Sequence, residues 1–321
     1  MQTPVVPENE RQRLDALRSL ALLDTPAEER FDRLTRMARN MFDVPIALVS
    51  LVDENRQWFK SCCGLSVLET SRDISFCGHA ILGDALFVVE DASQDPRFAD
   101  NPLVTGEPYI RFYAGHPLDV GNGLKLGTLR IIDCKPRVFG QREQALLSDL
   151  ASMAESELKA IHMATMDELT GLTNRRGFML LAERNLQYAF RAKIPASLLF
   201  IDLNHFKSIN DRFGHDVGDD ALCQMAELLC KMFRNADIIA RLGGDEFVVL
   251  LSGTSNEYCS GIQARFTQAL ESFNTNNGKP YQLSCSMGIV GYDATTAPDI
   301  NMLLRLADDE MYICKKTVRN G

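Results

Sequence analysis

The fold class this 321-residue sequence predicts is α+β: two mixed modules joined by a helix. Three observations predict it. Each half mixes three- and four-residue apolar spacing with short β-branched runs, without the regular strand–helix alternation of a parallel sheet. A stretch free of Gly and Pro, Gln141 to Thr165, separates the halves. The second half contains a tight hairpin, which argues against a doubly wound parallel sheet.

The first half opens with Leu14, Leu17, Leu20 and Leu22, then Phe31, Leu34, Met37, Ala38 and Met41, at helical spacing. The run Pro45–Val52, PIALVSLV, ends at Asp53-Glu54-Asn55, a strand followed by a turn. Further strands are predicted at 57–61, 86–89, 112–117 and 126–132, giving a largely antiparallel sheet with helices over residues 1–139. Residues 140–165 form a helical linker. In it Leu147, Ala151, Ala154, Leu158, Ile161 and Thr165 recur at alternating spacings of four and three, an a/d seam suited to a short parallel coiled coil in a homodimer. The alternative is a helix packed on its own domain; the seam is short, and half of it is Ala or Thr. The second module, 166–321, reads as helix 176–192, strand 196–203, helix 219–233, hairpin 237–251, helix 260–275, strand 282–291 and helix 300–316.

The composition is that of a folded protein, with 45% hydrophobic and 24% charged residues. A net charge of −9 leaves no basic excess to replace phosphate counterions, so no nucleic-acid partner is expected. A few basic groups around one metal-bound triphosphate remain compatible with that charge. The polar start resembles no signal peptide, and no apolar run approaches a membrane span. The expectation is a cytoplasmic protein without membrane insertion. The nine cysteines show no CxxC pair and read as reduced thiols, with Cys223, Cys230 and Cys285 as core residues.

Chemistry concentrates in the second half. In Ile238–Leu251, IIARLGGDEFVVLL, two apolar runs flank Gly243-Gly244, whose freedom at positive φ suits a tight turn and close ligand approach. Asp245 and Glu246 follow at once, hard oxygen donors of the kind Mg²⁺ takes. Upstream, LLFIDLNHFKSIND is an apolar strand that ends at Asp202, followed by a loop bearing Lys207 and Asn210. A carboxylate ending a buried strand is costly unless it is paired or binds a metal. Asp202 beside Asp245 would form a divalent-cation site that polarises phosphates, and Lys207 could neutralise a phosphoryl group in transfer.

These blocks, with Asp167–Arg176, Asp202–Asp211, Phe213–Asp219, Arg241–Phe247, Ser286–Gly288 and Ala307–Tyr312, resemble a GGDEF domain over essentially the whole second module. The resemblance implies a diguanylate cyclase, a nucleotidyltransferase that condenses two GTP into cyclic di-GMP, with a nucleotide-cyclase-like fold. It implies Asp202, Asp245 and the Leu203 carbonyl as ligands of Mg²⁺ (or Mn²⁺), with Asp245 or Glu246 taking the proton of the attacking 3′-hydroxyl. Asn210 and Asp219 resemble the guanine-reading pair, with His215 in the same pocket and Gly243 and Gly244 at the turn. Lys315 and Arg319 resemble terminal-phosphate contacts. Arg234 and Asp237 match an RxxD site that binds cyclic di-GMP as feedback inhibitor, with Arg265 supporting it. The sequence departs from the pattern at Val318, where many members have Gly, and at Glu310, where they have Ala. No phosphodiesterase segment follows Arg319, so hydrolysis of the product is not expected.

Residues from about Arg11 to Phe139 resemble a GAF domain, notably at Leu22–Phe31, Pro45–Asp53, Arg56–Lys60, Arg72–Ile81 and Tyr113–Leu118. GAF domains bind diverse small molecules or none, so the resemblance implies a sensory role and no particular ligand. Cys77 and His79 stand two apart with no further ligand cluster, the pattern of structural residues more than of a metal or chromophore anchor. Asp91, Asp95, Arg97 and Phe98 fall in a loop that either lines a pocket or caps elements.

Overall fold

The computed structural model describes residues 1–234, 236–254 and 259–319, apart from the side chains of residues 259–260 and 317–319. It divides into two compact units, Met1–His162 and Met163–Gly321.

In the first unit, α1 (Glu10–Ser19) and α2 (Glu29–Phe42) precede β1 (Ile46–Val52), β2 (Arg56–Cys63), β3 (Glu69–Ser71), α3 (Phe76–Ala80), β4 (Phe87–Val89), α4 (Pro102–Thr105), β5 (Phe112–Asp119), β6 (Lys125–Asp133) and α5 (Gln141–Thr165). Its six strands run β3-β2-β1-β6-β5-β4, every pair antiparallel. All of β1 is buried. Ala47, Val49 and Leu51 meet the helical side, while Ile46, Leu48 and Val52 meet α3 and the loops beyond it. A strand covered on both faces reads as a continuous apolar run, which is why PIALVSLV shows no alternation.

The seam of α5 does something other than the coiled coil predicted for it. Leu147, Ala151, Ala154 and Leu158 are fully buried in the first unit's own core, with Leu17, Phe31 and Leu129. Two polar contacts reinforce that packing. The Asp119 N–H donates to Glu155 Oε1 (3.0 Å), and Arg33 donates to Glu157 (2.9 Å). Burying a Leu side chain contributes about 1.5–3 kcal/mol, so freeing Leu147 and Leu158 for a partner helix would forfeit more than a seam of alanines returns. The packed-helix alternative holds along this stripe, and a homodimer would have to use another surface.

In the second unit, β7 (Thr173–Asn174), α6 (Arg175–Ala192), β8 (Ala196–Leu203), α7 (Phe206–Phe213), α8 (His215–Met232), β9 (Ile238–Gly243), β10 (Glu246–Ser252), α9 (Cys259–Asn276), β11 (Cys285–Tyr292) and α10 (Ile300–Arg319) follow. The sheet order is β11-β8-β10-β9-β7, antiparallel except for β7 with β9. Leu199, Ile201, Phe247 and Val249 face α8 and α9; Leu198, Phe200, Val248 and Leu250 face α6 and α10. Residues 206–213, expected as a loop, are helical, because Phe206, Ile209 and Phe213 sit at three- and four-residue spacing and pack into the core. The helix predicted at 219–233 starts earlier, at His215, and the strand predicted at 282–291 starts later, at Cys285.

Gly288 lets α10 lie directly on the sheet: a Cβ there would meet the Ala307 carbonyl oxygen at 2.0 Å. Within this unit Asn174 Nδ2 donates to the carbonyls of Ala164 (3.1 Å) and Met166 (3.0 Å) while its Oδ1 caps α6. Among the described residues no cysteine is disulfide-bonded; of the three expected in the core, Cys230 and Cys285 are half-buried and pack against it, and Cys223 is half-buried. No helix among them is long and apolar enough to cross a membrane.

Candidate active site

The register of β8 and β10 makes Asp202 and Glu246 direct cross-strand partners, so both side chains lie on the face that α6 and α10 cover. Asp245 stands one residue earlier, in the turn. Its carbonyl accepts the Leu203 N–H (3.1 Å), which pins the turn to the end of β8. The register shift between Glu246 and Phe247 lets Gly243 and Gly244 form the turn at φ of 152° and 51°. A Cβ at either glycine would meet nothing within 4 Å, so the space above the turn is open to a ligand.

The carboxylates press on one another. Burial pushes the Asp245 carboxyl above the ordinary range and Asp202 adds to the shift, against the opposing pull of Lys315 and Arg241. Burial also pushes Glu246 up, with Asp308, Asp202 and Asp245 adding and Arg175 opposing. Asp202 is only 7% exposed and holds the Lys315 ammonium, presented by α10. One lysine thus answers part of a negative charge that several carboxylates create.

Among the described residues no three Asp, Glu, His or Cys side chains stand together as a metal cage. The donor set is instead two carboxylates, Asp202 and Asp245, beside the backbone of Leu203. Hard oxygens, a surplus of negative charge and a lysine resting where a cation is wanted fit Mg²⁺ or Mn²⁺.

Arg241 and Asp167, parts of the matching sequence blocks, brace the turn. Arg241 Nε and Nη2 both donate to the Gly244 carbonyl (2.9 and 2.8 Å), while Nη1 donates to Asp167 Oδ1 (3.0 Å). Burial raises the Asp167 carboxyl, but hydrogen bonds from Thr170 and Arg241 outweigh it and hold the group below its usual range. Arg241 is a positioning residue that braces the turn from behind. An arginine in an otherwise apolar strand was the signal in the sequence.

The α7–α8 hairpin gathers a second set of groups. Asn210 lies against Gly218, where a Cβ would stand 1.8 Å from its Oδ1, so Gly is required for this close approach. Asp219 follows at once and is exposed, as are His215 at the start of α8 and Lys207 on α7. The structure therefore brings Asn210 and Asp219 to one hairpin. The side chain of Arg319 lies outside the described residues.

Arg234 is exposed and its N–H donates to Asp237 Oδ2 (2.9 Å); Asp237 Oδ1 accepts from Ser252 N–H (3.3 Å). Burial pushes the Asp237 carboxyl up despite those bonds. Both its oxygens already serve the backbone. Asn235, the second residue of that motif, lies outside the described residues. Arg265 is exposed on α9, next to Phe266, which shares a core cluster with Phe233.

In the first unit Cys77 is buried and accepts from Arg130 Nη1 (2.7 Å), while His79 Nε2 meets the Gln2 carbonyl (3.0 Å). Asp91 accepts from Ser93, and Asp95 from Arg97. The aspartates cap their own loop.

Comparison with known proteins agrees with this division. Residues 164–321 match the family described as "Diguanylate cyclase, GGDEF domain", and residues 26–158 match the GAF domain family. The chain is 33% identical over 315 residues to the cyclic di-GMP phosphodiesterase PA2567 of Pseudomonas aeruginosa, covering 96% of this chain and 53% of that protein. It is 34% identical over 193 residues to the probable diguanylate cyclase DgcC of Escherichia coli, covering 60% of this chain and 51% of the relative. It therefore spans about half the length of these curated relatives. A solved GGDEF domain of PA1120 from Pseudomonas aeruginosa is 35% identical, covering 47% of this chain and 89% of that one, with a TM-score of 0.44.

Proposed function

This chain joins a GAF domain to a GGDEF domain of the diguanylate cyclase family, and we propose that it condenses two GTP molecules into cyclic di-GMP. The observation that carries the reading is the pairing of Asp202 with Glu246 across β8 and β10, with Asp245 beside them in the open Gly243-Gly244 turn and Lys315 against Asp202.

In each half-reaction a 3′-oxygen attacks the α-phosphorus of the other nucleotide. A new P–O bond forms, the bond to the β,γ-diphosphate breaks, and pyrophosphate leaves. The hydroxyl proton goes to Asp245 or Glu246; both are pushed above the ordinary carboxylate range, which brings them closer to the working pH of a general base. Asp202, Asp245 and the Leu203 carbonyl would hold Mg²⁺ or Mn²⁺, which supplies Lewis-acid polarisation of the phosphates. Lys315 exchanges Asp202 for the terminal phosphates, with Arg319 one helical turn further on. Lys207 neutralises phosphoryl charge from α7.

Asn210 and Asp219 read guanine: a carboxylate accepts from N1–H and the exocyclic amine, and adenine would leave it unpaired. His215 borders the same pocket. Two half-sites must face each other, so the reaction requires a homodimer, and tethering raises the effective concentration of the second half-site. Cyclic di-GMP inhibits through Arg234, with Arg265 in support; Asp237 holds the loop as well as facing the ligand. The GAF domain regulates the output.

The test is incubation of the full chain with GTP and Mg²⁺, with nucleotides separated by chromatography, beside Asp245→Ala. Cyclic di-GMP from the unaltered chain alone supports the cyclase. If neither chain makes product while both bind GTP, the domain is a nucleotide receptor and the reading fails. Arg234→Ala should raise the inhibition constant for cyclic di-GMP; an unchanged constant removes the inhibitory site.

A further inference from the structure

The first unit holds a cleft of about 470 Å³, open on one side, a size that accepts a small organic molecule. Its wall is largely apolar, with Phe59, Phe76, Tyr113 and Ile132 on the inner side and Val67 at the exposed rim. One side chain breaks this pattern. Arg130 on β6 lines the cavity yet is only 3% exposed.

The surroundings of Arg130 are unusual for a buried cation. Its Nη1 donates to Gln57 Oε1 (2.7 Å) and to Cys77 Sγ, and its guanidinium lies 5.0 Å from the centre of the Phe59 ring. Its Nε is buried and has no hydrogen-bond acceptor. None of these partners is a carboxylate. The other buried cations of this unit are paired: Lys60 with Glu28, and Arg13 and Arg72 with Glu10. Glu107 lines the same cavity but is exposed. A buried charge without a counter-ion is strongly unfavourable, and a guanidinium does not escape by losing its proton.

A carboxylate is the anion that matches this donor set. It accepts charge-assisted N–H bonds from a guanidinium and supplies the counter-charge that Arg130 lacks among its protein partners. A phosphate dianion would bring more charge than one arginine in an apolar wall can balance. We propose that this cavity binds a small molecule with an apolar or aromatic body and a single carboxylate, which pairs with Arg130. The inference goes beyond the cyclase reading and does not depend on it, since it is read by binding to the chain and not by turnover.

The experiment follows thermal unfolding and titration calorimetry of the full chain with benzoate, phenylacetate and hexanoate, each beside its neutral amide. At least one acid should stabilise the chain saturably while its amide does not. Arg130→Gln should weaken that acid by roughly tenfold or more, the loss of one charge-assisted bond. Because Arg130→Gln also disturbs Gln57 and Cys77, Val67→Trp provides a second variant: it fills the mouth, leaves Arg130 in place, and should abolish binding. Equal stabilisation by acid and amide, no saturable binding by any of the three acids, or full affinity in either variant would overturn the proposal.

Discussion

In the first unit the Lys60 ammonium, with no exposed side-chain surface, is enclosed by Glu28, the Thr25 hydroxyl and the Pro26 carbonyl. In the second, Asp245 and Glu246 stand at the head of β10 beside Asp202, and acids outnumber the cations that face them. The contrast separates charges that belong to the architecture from charges that await a partner. A closed pair contributes to the fold by itself. A crowd of like charges weakens the fold until something of opposite sign arrives, so its presence points to a ligand.

The two arrangements respond to pH with opposite sign. Burial raises the Glu28 carboxyl, but hydrogen bonds from Lys60 and Arg30 outweigh it and hold the group below its usual value. Its stabilisation is present above the ordinary glutamate range and is lost as pH falls through the depressed folded value. Asp245 and Glu246 are raised, so their favourable contribution exists only below the ordinary carboxylate range and is lost as pH rises through the folded values. At neutral pH they weaken the second unit.

The largest structural effect is expected at the closed pair. Glu28→Ala leaves the Lys60 ammonium buried without its carboxylate, and because Glu28 is partly exposed the cost is about 1–3 kcal/mol. Denaturant unfolding of the full chain would register it as a loss in the first unit's transition; no change would mean that the pair is not what closes that charge.

A smaller effect is expected behind the turn. Lysine in place of Arg241 cannot span both the Gly244 carbonyl and Asp167, so Arg241→Lys should lower kcat by roughly 10- to 100-fold through a displaced turn. Steady-state kinetics with GTP would show it, and wild-type kcat would remove the brace from the account.

The smallest effect is electrostatic. Asp308→Asn removes one charge that raises Glu246. The acid limb of the rate–pH profile should move down by about a few tenths of a pH unit. A limb that moves up would place Asp308 in a different role.

Legibility in the sequence followed the same division. The strands around Asp202 and Asp245 were readable because uniformly apolar runs end abruptly in acids, and the paired glycines announced the turn. Lys207 and Asn210 read as loop residues because LNHFKSIND is mostly polar, although Phe206, Ile209 and Phe213 carry a helical period. The α5 seam shows a limit of periodicity: it establishes that a stripe is buried and cannot tell whether the partner is another copy or the same chain's sheet. Arg130 was visible only as a charged residue inside LGTLRII. That its buried guanidinium meets neutral acceptors and no carboxylate depends on Gln57 and Cys77, brought to it by folding from 73 and 53 residues away.

The most direct test of the claim that crowded charge marks a ligand site is the melting temperature of the full chain and of Asp245→Asn, each with and without Mg²⁺. The account predicts that Asp245→Asn melts higher than the unaltered chain in the absence of metal, and that Mg²⁺ stabilises the unaltered chain but not the variant. A variant that melts lower without metal, or that gains as much from Mg²⁺ as the unaltered chain, would contradict it.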